Sequence, residues 1–319
     1  MKICVISFDF WNYDAHIVEE LRRKGVDAHH INIGAYQHKD LSARVKNTIS
    51  KIVLQRNLKN ELRQEMILDT LKKLGPQDQI LVINPELIDM EFHHQIKQCT
   101  KRYIAYLYDS LARCPAQHLF SEFDEIFTFD KKDALDHHFK LITNYNYLPE
   151  QKSPVQPKYD LVYLGSFDNR ISLLSTISAQ MEKLNLSYNF VVVGKKSWTK
   201  NISFQNQNTI LYKRQRVKHE DIPDFYLQGN IVLDLVRDNQ TGLSFRIFEA
   251  MALKKKIITN NPTIKDYDFY NPENVFILNE EASNIEKSFF DGSYQEIPAE
   301  IYEKYTLSSW VETIFSLDL

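Results

Sequence analysis

Residues 2–31, KICVISFDFWNYDAHIVEELRRKGVDAHHI, decide the fold class. The apolar run Lys2–Ser7 predicts a buried strand, Ala15–Lys24 predicts a helix that ends at Gly25, and Val26–Ile31 predicts a second strand. A strand, a helix and a second strand in this order are typical of a parallel α/β sheet.

The same alternation continues along the rest of the chain. A helical pattern covers Leu41–Leu74, and further strands are predicted before and after a segment that contains three prolines, Pro149–Lys158 (PEQKSPVQPK). Prolines stiffen a connection and keep it out of a sheet, so this segment predicts a linker. The predicted strands are Gln79–Ile83, Tyr103–Leu107, Glu125–Phe129, Tyr159–Leu164, Tyr188–Val193, Ile231–Leu235, Lys256–Thr259 and Val275–Leu278. The predicted helices after the linker are Asn169–Leu184, Phe245–Leu253 and a helical stretch from Ala299 to Leu317.

We therefore predict an α/β protein of two Rossmann-like domains, residues 1–150 and 151–298, that face a central cleft. The C-terminal helix, residues 299–319, is a candidate for packing back on the first domain. Open parallel sheets bind ligands at the carboxyl ends of their strands, so the cleft is the expected ligand site.

Composition narrows the class of protein. Hydrophobic residues make up 43% and charged residues 25% of the chain, close to a typical soluble protein. The apolar start MKICVISFDFW is too short for a secretory signal, and three cysteines fit no metal spacing, so we expect a cytoplasmic protein. A net charge of −3 argues against a general nucleic-acid binder.

Glycine is scarce, with 8 residues in 319. Dinucleotide-binding and P-loop motifs each depend on closely spaced glycines, and neither motif is present in the sequence. Nicotinamide oxidoreductases and P-loop NTPases are therefore disfavoured.

The segment Arg44–Lys73 is basic, with eight Lys or Arg residues and three Asp or Glu residues, a net charge of +5. Its apolar residues recur at helical spacing, so the segment could be an ordinary solvated helix. The alternative is a patch that contacts anionic membrane lipid from the cytoplasmic side.

The segment Asp238–Thr259, DNQTGLSFRIFEAMALKKKIIT, carries the richest chemistry. Gly242 allows a tight turn after a strand, and Ser244 is suited to cap the next helix. Arg246 in the first helical turn suits a bound anion, which the free N–H groups would share. Glu249 lies one turn later, where its carboxylate could accept hydrogen bonds from a ribose diol; the alternative is an ion pair between Arg246 and Glu249.

This segment resembles the donor-site signature of GT-B glycosyltransferases, closest to the CgeB-like and lipopolysaccharide or capsule biosynthesis groups. The matching run is Gly-Leu-Ser-x-Arg-x-Phe-Glu over 242–249. Tyr159–Arg170 (YDLVYLGSFDNR) resembles the opening of their nucleotide-binding domain. Tyr106–Pro115 resembles a stretch of their N-terminal, acceptor-side domain.

The resemblance implies that Glu249 binds the ribose of a nucleotide diphosphate sugar. It implies that other residues surround the diphosphate or shape its site; these are Gly165, Ser166, Arg170, Gly242, Ser244 and Arg246. Many retaining members carry a glutamate eight residues before the ribose carboxylate, where this chain has Thr241, so the stereochemical course stays open.

No metal site or other cofactor is expected. Asp266-Tyr267-Asp268 matches a short metal-binding pattern but follows the donor signature. The three His-His doublets cannot chelate alone, because adjacent side chains diverge. The doublets are His29–His30, His93–His94 and His137–His138.

A catalytic base is expected at strand ends of the N-terminal half, because an inverting transfer must deprotonate the acceptor hydroxyl. Asp9 and Asp109 are the leading candidates, and Asp14 and His16 are alternatives. Each aspartate could instead serve as a turn or cap residue.

The resemblance thus implies a metal-independent glycosyltransferase that moves a sugar from a nucleotide-sugar donor to a glycan or lipid-linked acceptor, such as lipopolysaccharide or capsule. Alternatives are a nucleotide-sugar epimerase of the same fold and a non-catalytic two-domain sugar-binding protein. A panel of nucleotide sugars would distinguish the three.

Overall fold

The computed structural model of the chain describes residues 1–9, 11–35, 58–151, 155–194, 209–215 and 217–317. The chain forms two compact units, Met1–Thr143 with Trp310–Leu319, and Asn144–Ser309. Each unit contains a parallel six-stranded sheet, so the predicted α/β class is confirmed. The predicted helical residues 41–57 and the linker residues 152–154 lie outside the described residues.

The sheet of the first unit has the strand order β2-β1-β3-β4-β5-β6. Its strands are β1 (Lys2–Ser7), β2 (Asp27–Asn32), β3 (Gln77–Ile83), β4 (Thr100–Leu107), β5 (Glu125–Thr128) and β6 (Lys140–Leu141). Its helices are α1 (Tyr13–Arg23), α2 (Leu58–Leu74), α3 (Met90–Lys97) and α4 (Lys131–His137).

Strand β1 lies in the interior of this sheet. Cys4 pairs with His29 of β2 on one side and with Ile80 of β3 on the other. Residues 3–7 are all buried. Strands covered on both faces are apolar at successive positions, which is why the sequence shows a continuous run and no alternation.

The end of the chain completes the first unit. Helix α10 (Leu307–Phe315) ends there, and Gln79 Nε2 donates a hydrogen bond to the carbonyl of Phe315 at 2.8 Å. Arg102 donates to the carbonyl of Ile314 at 2.9 Å, and Trp310 Nε1 donates to the carbonyl of Thr143 at 3.1 Å. Residues of β3 and β4 therefore bind backbone groups near the C-terminus.

The sheet of the second unit has the order β12-β11-β10-β7-β8-β9. Its strands are β7 (Tyr159–Ser166), β8 (Tyr188–Val193), β9 (Thr209–Lys213), β10 (Gly229–Asp234), β11 (Lys256–Thr259) and β12 (Val275–Ile277). Its helices are α5 (Ile171–Lys183), α6 (Ile222–Leu227), α7 (Phe245–Ala252), α8 (Ser288–Asp291) and α9 (Ala299–Tyr302). Separate apolar clusters cover the sheet, one built around α5 and the other around α6 and α7.

The unit boundaries differ from the predicted 1–150 and 151–298. The second unit begins at Asn144, before the proline-rich segment, because residues 144–147 bond to that unit. Asn144 Nδ2 donates to the carbonyl of Leu243 at 2.9 Å, and Asn146 N donates to the carbonyl of Tyr305 at 2.7 Å. Hydrogen bonds of Asn144 and Asn146, and not prolines, thus mark where the chain joins the second unit.

The predicted C-terminal helical stretch is interrupted. Between α9 and α10 the chain forms a short 3₁₀ turn, Glu303–Tyr305, and then an extended residue, Thr306, that bridges to Asn146. Among the described residues, no helix combines the length and the apolar character needed to cross a membrane.

Candidate functional site

In the second unit, the order of the strands reverses between β7 and β10. The chain continues from β7 to β8 on one side and reaches β10 and β11 on the other. Such switch points leave a crevice at the carboxyl ends of the strands, where α/β proteins bind ligands. The residues at these two strand ends are therefore the first place to look for a site.

Arg246 spans this switch point. Its guanidinium donates to the carbonyl of Leu164 in β7 and to the carbonyl of Leu235 just after β10, both at 3.1 Å. Its Nε donates to Oδ1 of Asp234 at 3.0 Å. Burial works to lower the pKa of Arg246, but the charge of Asp234 outweighs it and the pKa is raised. Arg246 is thus a fixed positive charge at the strand ends.

Asp234 lies inside the sheet and binds several side chains at the same strand ends. It is fully buried in β10, and its Oδ2 accepts a hydrogen bond from Thr259 of β11 at 3.0 Å. Its Oδ1 also accepts from the hydroxyl of Ser244 at 2.6 Å. Ser244 does occupy the N-cap position of α7, as predicted, but its side chain makes no capping hydrogen bond. The hydroxyl binds Asp234 because that buried carboxylate requires donors.

Glu249 faces Tyr147 and not Arg246. The hydroxyl of Tyr147 donates to Oε1 of Glu249 at 2.7 Å, and the carboxylate is only 1% exposed. No ion pair between Arg246 and Glu249 occurs among the described residues, so the alternative of an i,i+3 pair does not hold. The ring of His219 stacks on Tyr147 with ring centroids 4.9 Å apart.

The turn before α7 is held by side chains that follow β11. Asn261 Nδ2 donates to the carbonyls of Thr241 and Gly242, each at 3.3 Å. The hydroxyl of Thr263 donates to the carbonyl of Thr241 at 2.7 Å. The backbone of Gly242 is buried within this turn, and it orients the start of α7.

The residues at the end of β7 have internal partners. A Cβ at Gly165 would collide with the hydroxyl of Tyr163, so glycine is required there by a neighbouring ring. Ser166 is half-buried at the end of the same strand. Arg170 donates twice to Asp168, at 2.8 and 2.7 Å. These hydrogen bonds outweigh burial and lower the pKa of Asp168.

A cavity of about 390 Å³ opens beside β9 and α6. It was not expected from the sequence, because β9 and α6 were not predicted. Its lining combines basic and acidic side chains with one phenyl ring. The residues are Lys213, Gln215, Val217, Lys218, Asp221, Asp224, Phe225 and Gln228. Arg216, in the same basic stretch, lies outside the described residues.

In the first unit, the strand order reverses between β1 and β3, and Asp9 and Asp14 follow β1. Asp9 Oδ1 accepts a hydrogen bond from the backbone N–H of Asp14 at 3.1 Å. Asp109, the other predicted base, accepts from Arg113 at 2.5 Å in an i,i+4 pair. His16 pairs with Glu19 at 3.2 Å. Asp109 and His16 therefore already have charged neighbours.

Within the described residues, no group of three or more His, Cys, Asp and Glu side chains is arranged to hold a metal ion. The Asp268 carboxylate accepts from Lys304 at 2.6 Å and from Tyr305 at 2.5 Å. His93 is bound on both ring nitrogens, by Tyr103 at 2.7 Å and Pro85 at 3.0 Å. His30 is hydrogen-bonded to Ser7 at 2.9 Å.

Comparisons with known proteins match part of the chain to a family and the whole chain to solved structures. Residues 170–301 match the family described as glycosyl transferase-like. This range contains the switch-point residues Arg170, Asp234, Arg246 and Glu249. No curated protein sequence matches the chain.

Several solved structures share the fold over nearly the whole chain. AviGT4, a glycosyltransferase of avilamycin A biosynthesis, has a TM-score of 0.61 at 9% identity, covering 99% of this chain and 96% of its own. The lipopolysaccharide outer core galactosyltransferase WaaB, in its apo form, has 0.56 at 11%, covering 99% of both chains. An alpha-glucosyltransferase in complex with UDP-glucose and DNA has 0.59 at 10%, covering 98% of both.

The solved structures establish the fold, and the family match covers most of the second unit. The chain thus has the GT-B fold of these structures, and its residues 170–301 are similar to the glycosyl transferase-like family.

Proposed function

We propose that this protein transfers a sugar from a UDP-sugar donor to a carbohydrate acceptor of a surface glycan. One observation carries the proposal. Residues 170–301 match the glycosyl transferase-like family, and the charged residues of this range that could bind a nucleotide diphosphate lie at the switch point of their sheet. Structures of similar fold contain UDP-glucose or act on lipopolysaccharide, which supports this donor and this acceptor class.

The donor would bind along the ends of β7 and β10. Arg246 would neutralise the diphosphate together with the N-terminus of α7, where the helix dipole favours an anion. Glu249 would accept hydrogen bonds from the ribose hydroxyls once the hydroxyl of Tyr147 has moved away from its carboxylate. Arg170, Ser166, Gly165, Gly242 and Ser244 would shape this edge, with Arg170 and Ser244 acting through their bonds to neighbouring residues.

We propose an inverting transfer with Asp9 as the base. Thr241 stands where many retaining relatives have a glutamate, and an inverting reaction needs a group that takes the acceptor proton. The Oδ2 atom of Asp9 has no hydrogen-bond partner among the described residues, whereas Asp109 already accepts from Arg113. Asp109 is therefore the second choice.

The test is incubation with UDP-, GDP-, dTDP- and CMP-sugars, with and without glycan acceptors and duplex DNA. We expect UDP-sugar hydrolysis and faster turnover with a glycan. An isomerised nucleotide sugar would support the epimerase alternative, and an unchanged donor would support a sugar-binding protein. Transfer to DNA would contradict the proposed glycan acceptor and would favour a DNA acceptor, which is present in one structure of similar fold.

We further propose that residues 44–73 bring the enzyme to anionic membrane lipid on the cytoplasmic side. Their net charge of +5 carries this step, and each cation near such a surface contributes at most about 1 kcal/mol. Residues 44–57 lie outside the described residues. Binding should be weak and strongest at low salt; vesicle co-sedimentation that is equal for neutral and anionic lipid would contradict it.

A further inference from the structure

Two carboxyl groups are buried side by side after β1. The side chains of Asp9 and Asp14 are only 6% and 1% exposed. Asp9 has a φ of +36°, a left-handed conformation that costs a non-glycine residue energy. This bend carries its Oδ1 over the first turn of α1, where it accepts the N–H of Asp14 at 3.1 Å. Asp9 therefore keeps a strained backbone while its carboxylate binds the backbone N–H of Asp14.

The remaining carboxyl oxygens have too few donors. Asp9 Oδ2 and both oxygens of Asp14 have no hydrogen bond of ordinary geometry among the described residues, and the Ser7 hydroxyl and the Asp9 backbone offset the burial of Asp14 only in part. An ionised carboxylate without donors is costly to bury, and a second negative charge beside it adds repulsion. The pair is therefore built to carry one charge and not two.

In the part of the chain that the structure describes, the neighbouring elements supply no cation that pairs with these carboxyl groups. From β2, His30 faces the pair through its bond to Ser7, and burial lowers the pKa of His30, which keeps the ring neutral. From the end of β4, Tyr108 faces it, and burial raises the pKa of that phenol. The charge of Arg22 also lowers the pKa of His30, and the charge of Asp109 also raises the pKa of Tyr108. No lysine or arginine in the described residues forms a salt bridge with either aspartate.

We propose that Asp14 holds a proton at neutral pH and acts as a positioning residue, while the neighbouring Asp9 is the base. Burial, followed by the charge of Asp9, raises the pKa of Asp14 to about 8, in keeping with this division. The catalytic half of the inference rests on the function proposed above.

The proton balance of the step is complete. The acceptor hydroxyl loses its proton to Asp9 while its oxygen forms a bond to the anomeric carbon. The bond from that carbon to the diphosphate oxygen breaks, and the nucleotide diphosphate leaves with the electron pair. Asp9 then returns its proton to solvent. Asp14 stays protonated throughout, so no second negative charge opposes the approach of the acceptor or the loss of the leaving group.

The first test needs no substrate. A protonated carboxyl group has its own carbonyl band in infrared spectra, and at pH 6.5 ordinary aspartates are ionised. We expect the wild-type protein to show this band at pH 6.5 and lose it near pH 8, and Asp14→Asn to lack it throughout. A wild-type protein with no such band would overturn the proposal, even if the variant failed to fold.

The second test uses activity. Above pH 8 we expect kcat to fall in the wild type, because Asp14 becomes charged, and to stay level in Asp14→Asn, with KM unchanged in both. Identical pH profiles would overturn the positioning role. If the infrared band is present but no nucleotide sugar is consumed, the proposed function fails and the protonated state of Asp14 stands.

Discussion

The hydroxyl of Tyr147 donates a hydrogen bond to Oε1 of Glu249 at 2.7 Å, across 102 positions of the chain. This hydrogen bond occupies the carboxylate that we propose as the acceptor for the ribose hydroxyls. Both the stability of the second unit and its affinity for a nucleotide should therefore depend on this contact.

Removing the hydroxyl should separate these two effects. In Tyr147→Phe the buried carboxylate loses a donor, so the free energy of unfolding should fall by about 1–3 kcal/mol. UDP should bind more tightly, because its ribose no longer competes with the phenol. Denaturant unfolding and calorimetry measure the two quantities. A weaker UDP affinity in the folded variant would show that the phenol belongs to the nucleotide site.

Glu249→Ala should weaken UDP binding by about 1.5–3 kcal/mol, because a hydrogen bond to a charged group is lost. The matched control is Glu296→Ala, which removes an exposed glutamate that pairs with Lys254 at 2.9 Å. UDP affinity in the control should equal that of the wild type. Equal affinity in folded Glu249→Ala would contradict the ribose assignment.

Asp234 and Arg246 should behave as a coupled pair. Asp234→Ala leaves the Arg246 charge buried without its counter-ion and should cost about 3–5 kcal/mol of unfolding free energy. In the double variant with Arg246→Met, the loss of unfolding free energy should be smaller than the sum of the losses in the two single variants. The exposed pair Lys132–Asp136 is the control, and its coupling should be much weaker because solvent screens both charges. Simple additivity at Asp234 and Arg246 would refute the coupling.

The stability of the protein should fall as pH rises, through Asp14. Its folded-state pKa is raised to about 8 from an ordinary value of 3.8, so between these values the folded state holds more protons than the unfolded state. In Asp14→Asn, the free energy of unfolding should fall less steeply with rising pH than in the wild type, by up to about 1.4 kcal/mol per pH unit. Asp136, whose pKa is lowered by Lys132, should show the opposite sign, and only below its ordinary pKa of 3.8, so Asp136→Asn should reduce the loss of stability toward acid. Unfolding curves from pH 2 to 8 test both.

The choice of base is tested by Asp9→Asn and Asp109→Asn. Loss of a positioned base costs about 10²–10⁴-fold in rate, so transfer should fall by this factor in Asp9→Asn while donor affinity is kept. Asp109→Asn should lose much less. A larger loss in Asp109→Asn would exchange the two roles. Transfer should also survive EDTA, because Arg246 and a helix N-terminus would neutralise the leaving group.

The sequence predicted the sheets well where strands are buried on both faces. The bounds of β1, β8 and β11 agree with the structure, because continuous apolar runs mark such strands. Strands β6 and β9 were missed: each forms an edge of its sheet, and β6 has only two residues. Short edge strands bury little and leave a weak pattern.

The structure gives the predicted site residues contacts that the sequence did not indicate. Arg246 and Glu249 were expected to face a ligand or each other, yet their partners, Asp234 and Tyr147, come from distant parts of the chain. Local spacing carries no information on such pairs. A charged residue inside the apolar run Ile231–Leu235 was nevertheless a signal, since a buried aspartate requires donors.

The hydrogen bonds from Gln79 and Arg102 to the carbonyls of Phe315 and Ile314 also set an order of assembly during synthesis. The second unit is one continuous segment and can close as soon as it leaves the ribosome. The first unit begins earlier but waits for residues 310–315 to be translated before β3 and β4 meet these acceptors. The unit whose synthesis begins first is therefore completed after the other, so a ribosome that stalls before residue 310 leaves β3 and β4 without these hydrogen bonds.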